Sequence, residues 1–533
     1  MNRTKLIQHF DTLAETPDAV AKLRNFVLSL AVRGQLLPQN AEDEKPARWK
    51  EFVAKFPQKK TQDEEPPFAL PKSWRWVRLN DVADYSAADK VDPSEIKDGD
   101  WVLDLEEIEK DTSRIIRIAS FAEKQSTSTK AKFLPGDVLY GKLRPYLNKV
   151  VVAPQVGFCT TEIVPIRSRG LIEPTYLCVF LRSPDFVNYA NSKSYGMKMP
   201  RLGTDDAVSA WVAVPPPAEQ RRIVAKVEEL LALCDELEAR QTAAREHRAR
   251  LVRSALDHLT TAQDESDFKK HSAFCLQHSE LLFDSLPALR QAIIQLAVLG
   301  RLSEPVISER VDSTAEENVT AASLAEEATN GQTLPSNWLW LRFRDVLSLR
   351  HGHQFREYDF VPSGIPVIKI GQCKRDGTLD LLGCDYIAAN RLDEFKDFRI
   401  EKDDILMALT GGTLGKVTVV NRDYGPAVQN YRVGKFLPKE RLYTKGFTQV
   451  VLLSGFFQTL VFEAVNQNAQ PNIGKEKMEE LVVPVPPLAE QQRIVAKVDE
   501  LLRWCDALEA RLTAAQTTAT HLLDATLHQI LTA

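Results

Sequence analysis

Four stretches of this chain hold residue types that chemistry could use. Gly411-Gly412-Thr413-Leu414-Gly415-Lys416 has the glycines and the lysine of a phosphate-cradling loop. Its spacing is one residue short of GxxxxGK[ST], and Val417 stands where a hydroxyl would hold magnesium. It reads as a glycine-rich turn that leaves Lys416 available to a phosphate. His351 and His353 flank Gly352, but no cysteine or carboxylate stands at ligand spacing beside them, so a metal site is not expected. Glu95-Lys97 and Glu394-Lys396 form ExK triplets, yet neither lies on a strand hairpin with an upstream aspartate. No GxGxxG, GxSxG or HExxH occurs. The sequence offers no catalytic constellation, and binding is the chemistry these residues could serve.

The elements that would position binding residues come in pairs. Residues 214–240 read VPPPAEQRRIVAKVEELLALCDELEAR, and residues 485–511 read VPPLAEQQRIVAKVDELLRWCDALEAR, 271 positions later with 21 of 27 positions identical. Such a repeat means duplication. Two further pairs frame it. Residues 10–36 resemble 283–302, and LPKSWRWVRLNDV at 70–82 matches LPSNWLWLRFRDV at 334–346. Prolines at 215–217 and 486–487 suit a helix entrance, with Glu219 and Glu490 complementing its dipole. A heptad seam then runs Ile223, Val227, Leu230, Cys234 onward to Leu251 and Ala255. Its copy runs Ile494, Val498, Leu501, Cys505 onward to Leu522 and Thr526. The natural partner of each helix is its own copy, in an antiparallel coil. About 40 residues at 1.5 Å each make a ruler of roughly 60 Å.

Between these frames, residues 83–213 and 347–484 hold short β-like runs (VLYGKL, KVVVA, PVIKI, KVTVV) followed by helical passages. The fold class is therefore α+β: two mixed α/β domains and two long antiparallel coiled-coil helices, arranged as a pseudo-twofold internal repeat. The expected order is an N-terminal helical region (1–38), a linker (39–69) and a first domain (70–213). A central long helix (214–262), short helices (263–302) and a second linker (303–333) follow. A second domain (334–484) and a C-terminal long helix (485–533) complete the chain. The tryptophans of the W-x-W entries, at 74, 76, 338 and 340, read as core anchors at a domain edge.

Seven cysteines without a CxxC pair fit reduced thiols, and Cys234 and Cys505 read as small buried hydrophobes. No run of 18 apolar residues exists and the N-terminus lacks a signal-peptide core, so a cytoplasmic chain without a membrane span is expected. The net charge of −5 counts against nucleic acid only as a sum. Residues 112–152 carry eight Lys or Arg against two acidic residues, so the charge is segregated.

The repeated PPxAEQxRIVAKVxELLxxCDxLEAR, the paired LRNFVLSLAVRGQL and LRQAIIQLAVLGRL, and the LPxxWxW entries resemble the specificity subunit of type I restriction–modification systems. The resemblance covers the whole chain. It implies that each variable region is a target recognition domain reading one half of a bipartite, asymmetric site on double-stranded DNA. The repeated helices would space these domains and dock two modification (methyltransferase) subunits, with restriction (motor-nuclease) subunits joining for cleavage. It implies no catalysis and no cofactor in this chain: S-adenosylmethionine, ATP and magnesium would belong to the partners. One departure is the lack of a tandem four-residue insertion in the coil.

On that resemblance the DNA-binding candidates of the first domain are Lys142, Arg144, Tyr146, Lys149, Lys198 and Arg201, the last two in GMKMPRLG. Those of the second are Arg350, His351, His353, Gln354 and Arg356 after the entry strand. Lys369, Lys374, Arg375, Lys416, Arg432, Gln470 and Asn472 complete the set. Two other classes stand against this reading. A fused nuclease or methyltransferase would need the motifs that are missing, and a pure coiled-coil adaptor would not need divergent domains with basic loops.

Overall fold

The computed structural model describes residues 10–532 apart from 45–46, 57–65, 125–126, 263–264, 278–284, 304–305, 307, 315–316, 319, 322, 325–333, 375–376 and 466–470. The chain divides into two compact units, residues 1–243 with 514–533, and residues 244–513.

In the first unit, strand Arg75–Arg78 pairs antiparallel with Trp211–Val214, so the domain's entry and exit form one ribbon. An antiparallel sheet follows in the order Ala83–Tyr85, Ile163–Ser168, Val138–Gly141, Val150–Val152. A five-stranded sheet runs Lys90–Val91, Lys130–Phe133, Gly157–Cys159, Trp101–Leu103, Ala119–Ser120, with one parallel pair, Trp101–Leu103 beside Gly157–Cys159. The second unit repeats this plan. Leu339–Arg342 pairs with Val482–Val485, and a four-stranded sheet runs Leu347–His351, Val433–Pro438, Ile405–Ala408, Val417–Val419. Its third sheet, Asp385–Ile387, Ile365–Ile368, Val428–Gln429, again holds one parallel pair. Trp74 and Trp338 are buried in the two cores, edge-on to Tyr176 and Phe447. They are core anchors, as the W-x-W entries suggested.

The AEQ of the long-helix repeat is what fastens each domain to its helix. Gln220 is fully buried; its carbonyl accepts from Glu173 N–H at 2.7 Å, and its amide donates to Leu171 O and Pro215 O at 3.1 and 2.9 Å. Gln491 does the same, accepting from Thr444 N–H at 2.8 Å and donating to Leu442 O and Pro486 O at 2.7 and 2.9 Å. Every polar atom of these two amides is satisfied, as burial demands. Glu219 and Glu490 are also buried, and therefore do more than complement a dipole. Glu219 accepts from Gln39, and Glu490 from Ser303 and Asn337. Beside each amide a tyrosine hydroxyl seals the exit strand, Tyr176 on Ala213 O and Tyr443 on Pro484 O, both at 2.9 Å.

The long helices are Pro217–Thr261 and Leu488–Thr532, 45 residues each. Each contributes its first half to one unit and its second half to the other. Within each unit a short helix lies against both. In the first unit, Arg24 of helix Ala19–Val32 meets Asp235 and Glu238 at 2.5 and 2.7 Å, and Gln241 donates to Ala14 O. On its other side Lys22 pairs with Asp524 at 2.6 Å and Gln35 reaches Leu531 O. The short helix thus runs against the first long helix and along the second, so the two long helices are antiparallel there. Helix Leu286–Val298 plays this part in the second unit. Its Arg290 meets Asp506 and Glu509 at 2.6 and 2.8 Å, and its Ala292 packs on Val252 and Leu256.

Two expectations need correction. The heptad seam does not continue through Leu251 and Leu522, which are exposed; Val252 and Leu523 are buried instead. Both copies slip at the same place, because a straight helix of 3.6 residues per turn drifts off a seven-residue repeat. The segments expected as linkers are also packed where they are described. Ala47–Lys55 is a helix whose Trp49 and Phe52, three apart, enter the first core, and Ala321 and Leu324 are buried in the second unit. Amphipathic spacing outweighs the charged composition of these segments. Cys234 and Cys505 are buried as expected, and burial pushes both thiols up.

Candidate nucleic-acid interface

In the first unit the central strand Val138–Gly141 runs into the loop that carries most of the candidates. Gly141 gives room at its end, where a Cβ would stand 2.8 Å from the Leu105 side chain and 3.1 Å from Lys149 O. The loop is wound tightly: Arg144 and Asn148 both adopt the left-handed conformation, at φ 52° and 47°. Such strain persists only where the surroundings over-determine it, and here a second loop does so. Residues 195–201 form a hairpin closed by reciprocal Tyr195–Arg201 backbone bonds at 3.1 and 3.0 Å. Arg144 N–H donates to Pro200 O at 2.7 Å, and Leu202 N–H donates to Lys142 O at 3.1 Å. Arg201 grips Glu162 with Nε and Nη2, at 3.0 and 2.9 Å to its two oxygens. Both loops are therefore held as one surface.

That surface brings together Lys142, Arg144, Tyr146, Lys198 and Arg201. Arg144, Tyr146 and Lys198 are exposed, and Lys142 is half-buried. Arg201 is occupied by Glu162, and Lys149 turns inward, donating from Nζ to Leu105 O at 2.6 Å. These two hold the loops in place.

The second unit closes the same two loops over the same strand end. Gly411 N–H donates to Pro471 O at 2.8 Å, and Ile473 N–H to Leu409 O at 3.2 Å. Pro200 and Pro471 stand 271 positions apart, the interval of the long-helix repeat. Leu409 N–H also donates to Arg432 O, which joins a further strand, and Asn472 bridges Thr410. His351 stacks on Tyr431 with ring centroids 5.0 Å apart. Gly352 lies so close to Gln429 O that a Cβ would come within 2.2 Å of it, which explains a glycine between the histidines. His353 packs among Phe355, Phe395 and Phe398, so it is closer to core than to contact surface.

The structure thus gathers His351, Lys416, Arg432 and Asn472 around one strand end. Gln354 and Arg356 are exposed beyond it. Arg350 donates to Asp397 O at 3.1 Å, Lys374 pairs with Asp380 at 3.1 Å, and Lys369 pairs with Asp385 while lying over Phe360. These cations already have protein partners. Arg375 and Gln470 lie outside the described residues. Exposed apolar or aromatic residues that were not among the candidates include Tyr195, Met197 and Met199 in the first unit and Tyr358 and Tyr431 in the second. Tyr431 and Arg432 adjoin in sequence, and that aromatic–cation pair was a usable signal. Among the described residues no group of three or more His, Cys, Asp or Glu is placed to hold a metal ion.

Elsewhere in the second unit, Leu289, Ile293, Leu501, Trp504 and Leu508 line an apolar groove of about 650 Å³ on the helical face. Trp504 is 71% exposed there, and its repeat counterpart in the first unit, Leu233, is 54% exposed.

Comparisons with known proteins agree with this architecture. Residues 335–515 match the family model for the type I restriction modification DNA specificity domain. The chain is 26% identical to the type I restriction enzyme EcoAI specificity subunit of Escherichia coli, over 95% of this chain and 93% of that one. It is 25% identical to the EcoEI specificity subunit of the same organism, with the same coverage. A solved chain, from a study of complex assembly and conformational transition of the type I R-M system, aligns with a TM-score of 0.53 and 20% identity. That alignment covers 87% of this chain and 99% of that one. The duplicated frame and the paired domains thus go with a likeness, over nearly the whole chain, to type I restriction enzyme specificity subunits.

Proposed function

We propose that this chain is the DNA-recognition subunit of a type I restriction–modification complex, each domain reading one half of a bipartite, asymmetric site. One observation carries the reading. Both domains close two loops over a strand end with equivalent backbone bonds, Arg144 to Pro200 and Gly411 to Pro471, yet present different side chains there. A shared frame with unlike contents gives two readers of unlike sequences. Phosphate contacts from Arg144, Lys198, Lys416 and Arg432 would position the duplex, while His351, Gln354 and Asn472 offer donors and acceptors to base edges.

The long helices, each shared by both units, set the spacer between the half-sites. The groove beside Trp504 and the matching surface at Leu233 receive two modification subunits, one for each unit. In this reading S-adenosylmethionine belongs to those subunits, ATP and magnesium to the restriction subunits, and the complex works in the cytoplasm on chromosomal and incoming DNA. Exchanging residues 83–213 for the corresponding domain of another family member tests the two-reader model. One half of the methylated motif should change and the other should stay. A change in both halves would overturn the assignment.

A further inference from the structure

We propose that Met197 is a wedge that enters the base stack of the half-site facing the first domain, an inference that rests on the DNA-recognition reading. The hairpin 195–201 is rigid at its base. Its closing backbone bonds, the Arg144–Pro200 bond and the Arg201–Glu162 pair fix its direction. Gly196, at φ 97°, then turns the tip, and the Met197 side chain stands fully in solvent. Tyr195 and Met199 are exposed beside it.

An apolar tip on a fixed base is not explained by folding, because truncating Met197 would remove no core contact. Its neighbours indicate what it meets. Lys198 follows it directly, and Arg144 and Tyr146 lie on the loop to which the hairpin is pinned. Cations around a protruding apolar side chain match a duplex, whose phosphates flank an apolar stack of bases. Methionine belongs to the set of side chains (Phe, Leu, Ile, Met, Pro) that proteins insert between base steps to unstack and kink DNA. Its unbranched thioether adapts to an irregular gap. The rigid base supplies leverage, since a wedge on a mobile loop would fold back instead of parting the bases. Met197 then contributes to specificity without a hydrogen bond, by favouring half-sites with an easily unstacked step at that position.

The test uses the full chain assembled with its modification subunits on duplexes carrying its site. 2-Aminopurine, which brightens when unstacked, is placed at successive positions of the first domain's half-site, avoiding the adenine that the complex methylates. Fluorescence should rise several-fold at one step on binding. Met197→Ala should abolish that rise while the duplex is still bound, and Met197→Leu should keep it. The wedge is overturned if no position brightens on DNA that the wild-type complex binds, or if Met197→Ala brightens it equally. If the wild-type complex binds no duplex bearing the site, the recognition reading itself fails, and the wedge fails with it.

Discussion

Replacing Gln491 by leucine probes the joint between reading domain and long helix. The side chain is fully buried, so its removal strands Thr444 N–H, Leu442 O and Pro486 O without access to water. Each stranded buried group costs about 1–3 kcal/mol, and the two carbonyls can regain part of that by small shifts. Burial of leucine returns roughly 1–2 kcal/mol. The expected net loss is about 2–4 kcal/mol, confined to the second unit. Urea unfolding of the full chain is the assay, with the two units followed separately because a two-unit chain need not unfold in one step. Gln220→Leu should weaken the first unit by a similar amount, and the double variant should show both losses, the sites being in different units. Gln491→Glu adds a pH signature. The introduced carboxylate still accepts from Thr444, but it faces two carbonyl oxygens in a buried site, so its folded pKa lies above the ordinary value of about 4.3. The folded state then binds a proton that the unfolded state releases. Relative to wild type, this variant should therefore recover stability as pH falls from 8 towards 5. A Gln491→Leu loss below about 1 kcal/mol, or a pH-independent Gln491→Glu deficit, would refute the joint as described.

The other predictions concern the loops, the helices and the groove. Arg144→Ala and Lys198→Ala should each reduce the salt dependence of DNA binding by about one phosphate contact, a slope change near 0.9 in log K against log salt. Equilibrium binding over a salt series checks this. Val252→Ala and Leu523→Ala should each cost about 1–3 kcal/mol, while Leu251→Ala and Leu522→Ala should stay within about 0.5 kcal/mol by thermal unfolding. Equal costs would restore the uninterrupted heptad seam. Trp504→Glu should leave the chain folded, since the side chain is exposed. It should also weaken association with modification subunits by about thirty-fold or more, the ~2 kcal/mol of an aromatic hot spot, measured by co-purification and titration.

The frame of this protein was legible because duplication wrote it twice. The AEQ repeat, the W-x-W entries and the leading helices each mark a buried joint, and a joint tolerates little change. Its roles were less legible. Glu219 looked like a dipole partner, whereas burial and Gln39 make it part of a clamp. Sequence matching also lost the 271-residue interval upstream of Val214, although Ser183 and Ser454 cap equivalent helices and Glu173 and Thr444 meet equivalent glutamines. There the backbone does the work and the side chains were free to diverge.

The loop surface was legible only as composition. Positive charge and glycine identified the 141–149 and 196–203 loops, but not which cations already had partners. Lys149 on Leu105 and Arg201 on Glu162 are contacts between residues far apart in sequence, which no local spacing reveals. Tyr431 was visible in sequence beside Arg432, but its stack on His351 joins residues 80 positions apart and was not.

The central claim is that this chain selects where DNA is modified. Sequencing the methylome of a strain that expresses the system, with this chain present and deleted, tests it most directly. Deletion should abolish one bipartite N6-methyladenine motif and leave every other motif in place. An unchanged methylome would contradict the account.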